Sequence, residues 1–333
     1  MTRSRLHQLL RSIQGRRILV IGDFFLDKYL VIDPRLEEIS LETGKAAHQV
    51  VSVRNRPGGA GTVTSNLAAL GARPVALGMV GLDGEGWELL RGLREEGVDV
   101  DLMIQSREHQ TGTYMKPMRL RRKIETETER LDLRRRSALP RRNLLEIVRR
   151  MRDAVQTVDA IIVVDAVPED FGVVGEPVRK ELARLGRHRL ILADSRRRTG
   201  EFRNLILKPN AQEARIAAGA RNPQKISKQW AFATMQALYR RSRKPLFMTA
   251  EAEGIFVYDG RALNRVPALP ERGPIDVVGA GDCVASALGS SLAAGANWIE
   301  AAEIANLAAS VTIHKLGTTG TASPREILQL KGT

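Results

Sequence analysis

Asp159-Ala160-Ile161-Ile162-Val163-Val164-Asp165 sets five apolar residues, four of them β-branched, between two aspartates. Its length, branching and polar ends read as a strand buried on both faces. Runs of the same style lie upstream at Arg17–Gly22 and downstream at Arg189–Asp194, Asn204–Leu207 and Pro245–Thr249. Between them, residues 84–96, 141–152, 176–186, 211–219 and 225–241 carry helical spacing. Alternating strands and helices predict an α/β fold with a mostly parallel central sheet covered on both faces. Ligands of such sheets bind outside the carboxyl ends of the strands. Asp23, Asp165, Asp194, Asn210 and Thr249 stand at those ends.

Two stretches break the alternation. Residues 30–57 and 100–133 hold extended segments with few helix signals, clearest at Gln49–Val53 and Gly112–Met115. They predict a small β lid inserted into a single domain spanning 1–333. A sheet with one apolar face needs cover, from a bound ligand or from the same surface of a second chain. A homodimer is the expected assembly.

At 333 residues, with 43% apolar and 27% charged residues, the chain has the composition of a globular protein with a sizeable core. No apolar run is long enough to span a bilayer, and no apolar signal core follows the bases of Met1–Arg11, so a cytoplasmic protein without a membrane partner is expected. The single cysteine, Cys283, cannot form an internal disulfide, in keeping with a reducing compartment. The net charge of +14 raises the question of nucleic acid. Yet arginine (41) outnumbers lysine (11), the densest runs flank apparent helices and strands, and aromatics are only 4% of the chain, so base-stacking platforms are scarce. The expectation is a solvated basic surface and no nucleic-acid partner, with a positive field available to anionic substrates.

The chemistry gathers at Asp276-Val277-Val278-Gly279-Ala280-Gly281-Asp282, followed by a small-residue apolar stretch. A Gly-Ala-Gly turn opening a helix aims backbone amides at an anion, and the helix dipole adds positive potential there. Asp282, next in line, is placed to take a proton from an attacking hydroxyl. The same residues also read as an acid-capped helix start with glycines for packing, and on their own they do not decide between the two.

This segment, with Ala301–Ala309 and Lys315-Leu316-Gly317-Thr318 after it, resembles the C-terminal signature of the ribokinase-like (PfkB) carbohydrate kinases. The resemblance runs from about Arg16 to Ser323. Arg56–Ala60, Arg130-Leu131-Asp132 and Lys315–Thr318 are similar to the heptose-phosphate kinase group, whose members carry an adenylyltransferase half. It implies a ribokinase-like three-layer sandwich and ATP-dependent phosphorylation of a small-molecule sugar or sugar phosphate, heptose 7-phosphate being the leading candidate. Asp282 would be the catalytic base, with amides from Val278 through Gly279, Ala280 and Gly281 stabilising the transferring phosphoryl group. Asn210 and Glu213, from an Asn-x-x-Glu motif, would place Mg²⁺ and phosphate through water. Thr249, Gly254 and Asn306 would lie on the ATP side; Asp23, Asp27, Gly58 and Gly59 would hold the sugar. Some relatives also bind a monovalent cation beside the turn.

Departures fall on the acceptor side and at one nucleotide turn. Thr62 stands where the family has asparagine, Glu251 where many members have glycine, Ile39–Lys45 lacks the group's prolines, and Asp165-Ala166-Val167-Pro168 replaces an Asp-Tyr-x-Lys-Gly segment. Other sugar kinases of the family (ribose, fructose or ketodeoxygluconate type) and a non-catalytic sugar sensor are the alternatives.

Overall fold

Ile18 and Val20 turn to one face of the strand Arg17–Gly22, and Leu19 and Ile21 to the other; all four are fully buried. Ile162 and Val164 against Ile161 and Val163 repeat this in Ala160–Asp165. Strands apolar on both sides need helices on both sides. The computed structural model describes residues 1–122, 124–271, 273–317 and 319–331 and supplies both layers. Thr318 of the C-terminal signature lies outside the described residues.

The central sheet runs Leu263–Val266, Ile255–Tyr258, Leu246–Thr249, Ile206–Leu207, Ile191–Ser195, Ala160–Asp165, Arg17–Gly22, Arg73–Leu77. The strands from Leu246–Thr249 to Arg73–Leu77 are parallel, and the first two form an antiparallel edge. All five strands expected from the sequence are present. The Asn204–Leu207 run shortens to Ile206–Leu207, because Asn204 turns at φ +59° and donates to Ala183 O. The last expected helix, 225–241, starts later, at Lys228, because Ser227 caps it by accepting from Trp230 N.

Helices Arg3–Ile13, Ala60–Ala69, Ala280–Ala293, Trp298–Ile313 and Pro324–Leu330 cover one face; Arg141–Ala154, Glu176–Leu185, Ala211–Ala218 and Lys228–Ser242 cover the other. Among the described residues, none of the helices is long and apolar enough to cross a membrane. Ala280–Ala293 lies close against the sheet. Its residues Cys283–Ser291 are all buried, and a Cβ on Gly289 would stand 2.6 Å from Ile162 Cδ1. Small side chains bring this helix onto the central strand, which carries Asp282 to the sheet's carboxyl edge.

A second sheet grows out of the first. After Asp23 the chain continues directly into Phe24–Ile32, which pairs antiparallel with Val50–Gly59 and parallel with Thr113–Arg121; the latter pairs with Ile124–Glu127 and Leu131–Leu133. This sheet begins at Phe24, ahead of the expected 30–57, and takes in Gly58 and Gly59. Within 100–133 it begins at Thr113, while Ile104–Ser106 pairs with Met79–Gly81. Phe24-Phe25-Leu26 is buried throughout and shows no alternation, so its departure from the core strand is invisible in the pattern.

Candidate active site

Asp276 shapes the turn before Ala280–Ala293. Its Oδ1 accepts from Val278 N at 3.0 Å, its Oδ2 from Gly317 N at 3.3 Å, and its own amide donates to Ile313 O at 2.7 Å. Gly279 caps the helix at φ +80°, and a Cβ there would lie 2.8 Å from Thr319 Cγ2, so both backbone and space require glycine. Ala280 N turns back to Val277 O at 3.1 Å. The amides of Val278 and Ala280 therefore already have acceptors. Within the expected span this leaves the amides of Gly279 and Gly281, joined by that of Asp282, without an intrahelical acceptor.

Asp282 is partly exposed on a cleft of about 650 Å³ at the carboxyl edge of the sheet. Burial, and then Asp194, push its carboxyl up to about 7, against the pull of Lys208 and Arg196. Lys208 is 3% exposed. Its Nζ pairs with Asp194 Oδ2 at 2.8 Å and lies 3.6 Å from where a Cβ on Gly281 would be. A desolvated ammonium thus sits under the first turn of the helix, beside the candidate base. No sequence pattern singles out Lys208, which lies two residues before the Asn-x-x-Glu motif, and Asp194 reads in the sequence only as a strand end.

Asn210 and Glu213 form a reciprocal cap on Ala211–Ala218: Asn210 Oδ1 accepts from Glu213 N and Glu213 Oε2 from Asn210 N, both at 2.8 Å. Capping and cleft placement coincide, since Glu213 lines the cleft, where burial and Asp194 raise its pKa. Among the described residues no group of three or more His, Cys, Asp or Glu is arranged to hold a metal. A hard divalent cation would therefore meet Glu213 as one oxygen donor among waters and nucleotide phosphates, a donor set that suits Mg²⁺.

Thr249 lines the cleft beside Asn210, to which it is bridged across the strands. Glu251 takes φ +47°, the left-handed region, which gives a physical reason for the glycine found there in many members. Gly254 and Asn306 do not line the cleft; they meet one common segment behind it, and Gly254 is bonded to the lining residues Ala250 and Glu251. A Cβ on Gly254 (φ +86°) would meet Val266 O at 2.2 Å, and Asn306 Nδ2 donates to Val266 O at 3.0 Å and Pro267 O at 2.9 Å.

Across the cleft stand Asp27, Gly59 and Thr62. Asp27 pairs with Lys116 at 3.3 Å, and burial raises its pKa while Lys116 opposes the shift. Gly58 lies under it: a Cβ there would stand 3.1 Å from the Asp27 carboxyl carbon. Gly59, at φ +59°, lets the backbone pass Asp23 O, which a Cβ would approach to 2.5 Å. Lys116 and Arg130 bring positive charge to this end, with the Arg130 guanidinium 4.8 Å from the Tyr114 ring centre. Nothing in the sequence marked Lys116, which lies inside a strand of the second sheet. Asp23 is turned to the protein: both its oxygens accept from backbone amides of residues 166–173.

The chain matches the model of the pfkB family carbohydrate kinases over residues 18–325. It is 30% identical over 332 residues to the bifunctional protein HldE of Citrifermentans bemidjiense, covering 98% of this chain and 66% of that protein. It is 32% identical over 346 residues to that of Geotalea uraniireducens, covering 98% and 65%. The chain thus spans about two thirds of the length of these relatives. Among solved structures, Arabidopsis thaliana ribokinase complexed with ribose and ATP superposes with a TM-score of 0.70 at 18% identity, over 96% of this chain and 100% of that one. Escherichia coli phosphofructokinase-2 in complex with fructose-6-phosphate gives 0.71 at 15%, over 95% and 98%. A ribokinase-like sandwich, a glycine turn opening a buried helix and an extended match to one family model meet in this protein: it belongs to the pfkB family of carbohydrate kinases and is an ATP-dependent sugar kinase.

Proposed function

We propose that this kinase phosphorylates a hydroxyl of a sugar phosphate of the heptose 7-phosphate type. The observation that carries this reading is the pairing, in one cleft, of Asp282 with an acceptor end that offers both a carboxylate and cations. Asp27 accepts from sugar hydroxyls, and Lys116 and Arg130 neutralise an anionic group on the same molecule. The HldE relatives at about 30% identity support the heptose assignment. A coupled ADP-release screen over ribose, fructose, fructose 6-phosphate and heptose 7-phosphate tests it. Preference for an uncharged sugar by kcat/KM overturns it, and absence of turnover with every sugar would point to a sensor.

In the reaction, Asp282 takes the proton of the attacking hydroxyl while the amides of Gly281 and Asp282, with Lys208 beneath them, stabilise charge on the transferring group. Glu213 and Asn210 would hold Mg²⁺ through water. Bound with ATP, the ion supplies charge neutralisation between the phosphates. The second sheet acts as a lid that excludes water. The exposed Val50, Val51 and Val53 on its edge strand fit a second copy of the chain, making a cytoplasmic homodimer.

A further inference from the structure

Two buried side chains outside the transfer chemistry hold the segment that follows Ala160–Asp165. Asp23 is 5% exposed; its Oδ2 accepts from Ala166 N and Val167 N, both at 3.1 Å, and its Oδ1 from Val173 N at 2.8 Å. Arg198, 7% exposed, grips the same segment by its carbonyls. Its Nη2 donates to Val167 O at 2.7 Å, and its Nη1 to Glu169 O at 3.0 Å and Pro168 O at 3.3 Å. Its Nε donates to Asp165 Oδ2 at 3.0 Å, and that oxygen also accepts from Ser195 Oγ at 2.6 Å. Gly172 completes the fit, for a Cβ there would lie 2.8 Å from Asp23 Oδ1 and 2.9 Å from Oδ2. A carboxylate takes three amides and a guanidinium three carbonyls, so residues 166–173, which form no helix or strand, have six of their backbone polar groups met by two charges.

This segment stands between two spaces. Ala166 lines the cleft with Asp27 and Asp282, whereas Val167, Glu169, Phe171 and Val173 line a neighbouring cavity of about 310 Å³, and Phe25 borders both. We propose that Asp23 and Arg198 are positioning residues that set acceptor specificity by fixing the segment 166–173, whose Ala166 forms part of the cleft wall. Asp23 then acts on the sugar through this backbone rather than through its own oxygens. A hydroxyl reaching those oxygens would have to displace charge-assisted bonds to buried amides and leave the amides unpaired. The inference rests on the reading that the acceptor lies at the Asp27 end of the cleft.

The test compares wild type, Asp23→Asn, Gly172→Ala and the double variant. A carboxamide keeps one acceptor oxygen but presents its NH₂ to amide donors; the alanine Cβ pushes the segment off the carboxylate. The kcat and KM values are measured for MgATP and for ribose, fructose 6-phosphate and heptose 7-phosphate, with hydrogen exchange of residues 166–173 recorded without substrate. Each single variant is expected to raise the KM of the best acceptor by about tenfold and to change the ranking of the three, while the KM for MgATP stays within about twofold. The double variant should be less than additive, and the amides of Ala166, Val167 and Val173 should exchange faster in all variants. A higher acceptor KM in Asp23→Asn with none in Gly172→Ala overturns the proposal, since it assigns Asp23 a direct contact. Unchanged exchange in Asp23→Asn overturns it as well. Should wild type turn over none of the three acceptors, the acceptor reading has failed by itself, and the exchange comparison still decides whether Asp23 holds the segment.

Discussion

Asp194 is the charge that, after burial, does most to hold the Asp282 carboxyl near 7. Replacing it with asparagine acts twice in the same direction. It removes a like charge from the neighbourhood of Asp282, and it frees the Lys208 ammonium, now 2.8 Å from Asp194, to act on Asp282 alone. Two unit charges 4 Å apart interact by about 4 kcal/mol at an effective dielectric of about 20, and by about 2 kcal/mol at twice that separation. Each pH unit corresponds to about 1.4 kcal/mol, so the expected shift is on the order of one unit downward. The assay is kcat/KM for the acceptor against pH, which reports ionisations of the free enzyme. The base must be ionised to work, so activity is lost as pH falls through its pKa. Wild type at pH 6 should retain about a tenth of its plateau and Asp194→Asn about half, each normalised to its own plateau. Asp23, pushed up to about 6 by burial and by Asp165, would lower both of these fractions by the same factor of about two at pH 6 and leave their ratio unchanged. An acid limb that stays in place, or moves to the alkaline side, refutes the assignment of Asp282 as the base.

Asp282→Asn itself should lower kcat by about 10²–10⁴ while ATP affinity, measured by calorimetry, changes only a few-fold; retention of more than about a third of kcat excludes a general base there. Glu213→Gln keeps an acceptor for Asn210 N and so preserves the helix cap, but should raise the Mg²⁺ concentration for half-maximal rate; an unchanged Mg²⁺ titration leaves Glu213 with its capping role alone. The second sheet, Phe24–Ile32, Val50–Gly59, Thr113–Arg121, Ile124–Glu127 and Leu131–Leu133, should gain hydrogen-exchange protection when acceptor binds. Equal protection in both states, in a protein that sediments as a monomer, refutes both the lid and the dimer. Retention on heparin should be lost at physiological salt; retention that persists would reopen nucleic-acid binding.

The central sheet was legible because its strands are apolar on both faces, and such runs stand out against the polar strand ends that later line the cleft. The second sheet was harder to bound, since Phe24–Leu26 continues the buried run of the first strand and alternation becomes visible only beyond it. The Gly-Ala-Gly turn was readable as an anion site, yet sequence could not say which amides are free. That depends on Asp276 claiming Val278 N and on Ala280 N folding back to Val277 O. Asn306 and Gly254 lie together on Val266–Ala268, a contact between distant stretches that no local pattern encodes. Lys116 was hidden for the same reason. It meets Asp27 only through the register that sets Tyr29 opposite Lys116 and Asp27 opposite Tyr114.

The net charge of +14 is carried largely outside the cleft. Arg149 and Arg150 share Glu146, Arg152 and Arg184 share Glu181, and Arg91 bridges Glu88 and Glu95. The exposed pairs among these add little stability, and all of them, including those on the buried Glu181, quench the local field of the helices that bear them. The cleft has the opposite balance. Lys116, Arg130, Arg196 and Lys208 face Asp27, Asp165, Asp194, Glu213, Glu251 and Asp282, six carboxylates against four cations. Arg198 neutralises Asp165 from behind, Lys116 is committed to Asp27 and Lys208 to Asp194. With Arg130 paired to Asp132 at the acceptor end, what remains for a triphosphate is Arg196, set against Glu213, Glu251 and Asp282. A polyanion entering such a site unaccompanied would meet more repulsion than attraction, whereas one carrying a divalent cation would not. Burial first and Asp194 second hold the Asp282 carboxyl near 7, where a base is effective at neutral pH, and the acid excess around it is expected to favour the metal-bound form of the nucleotide.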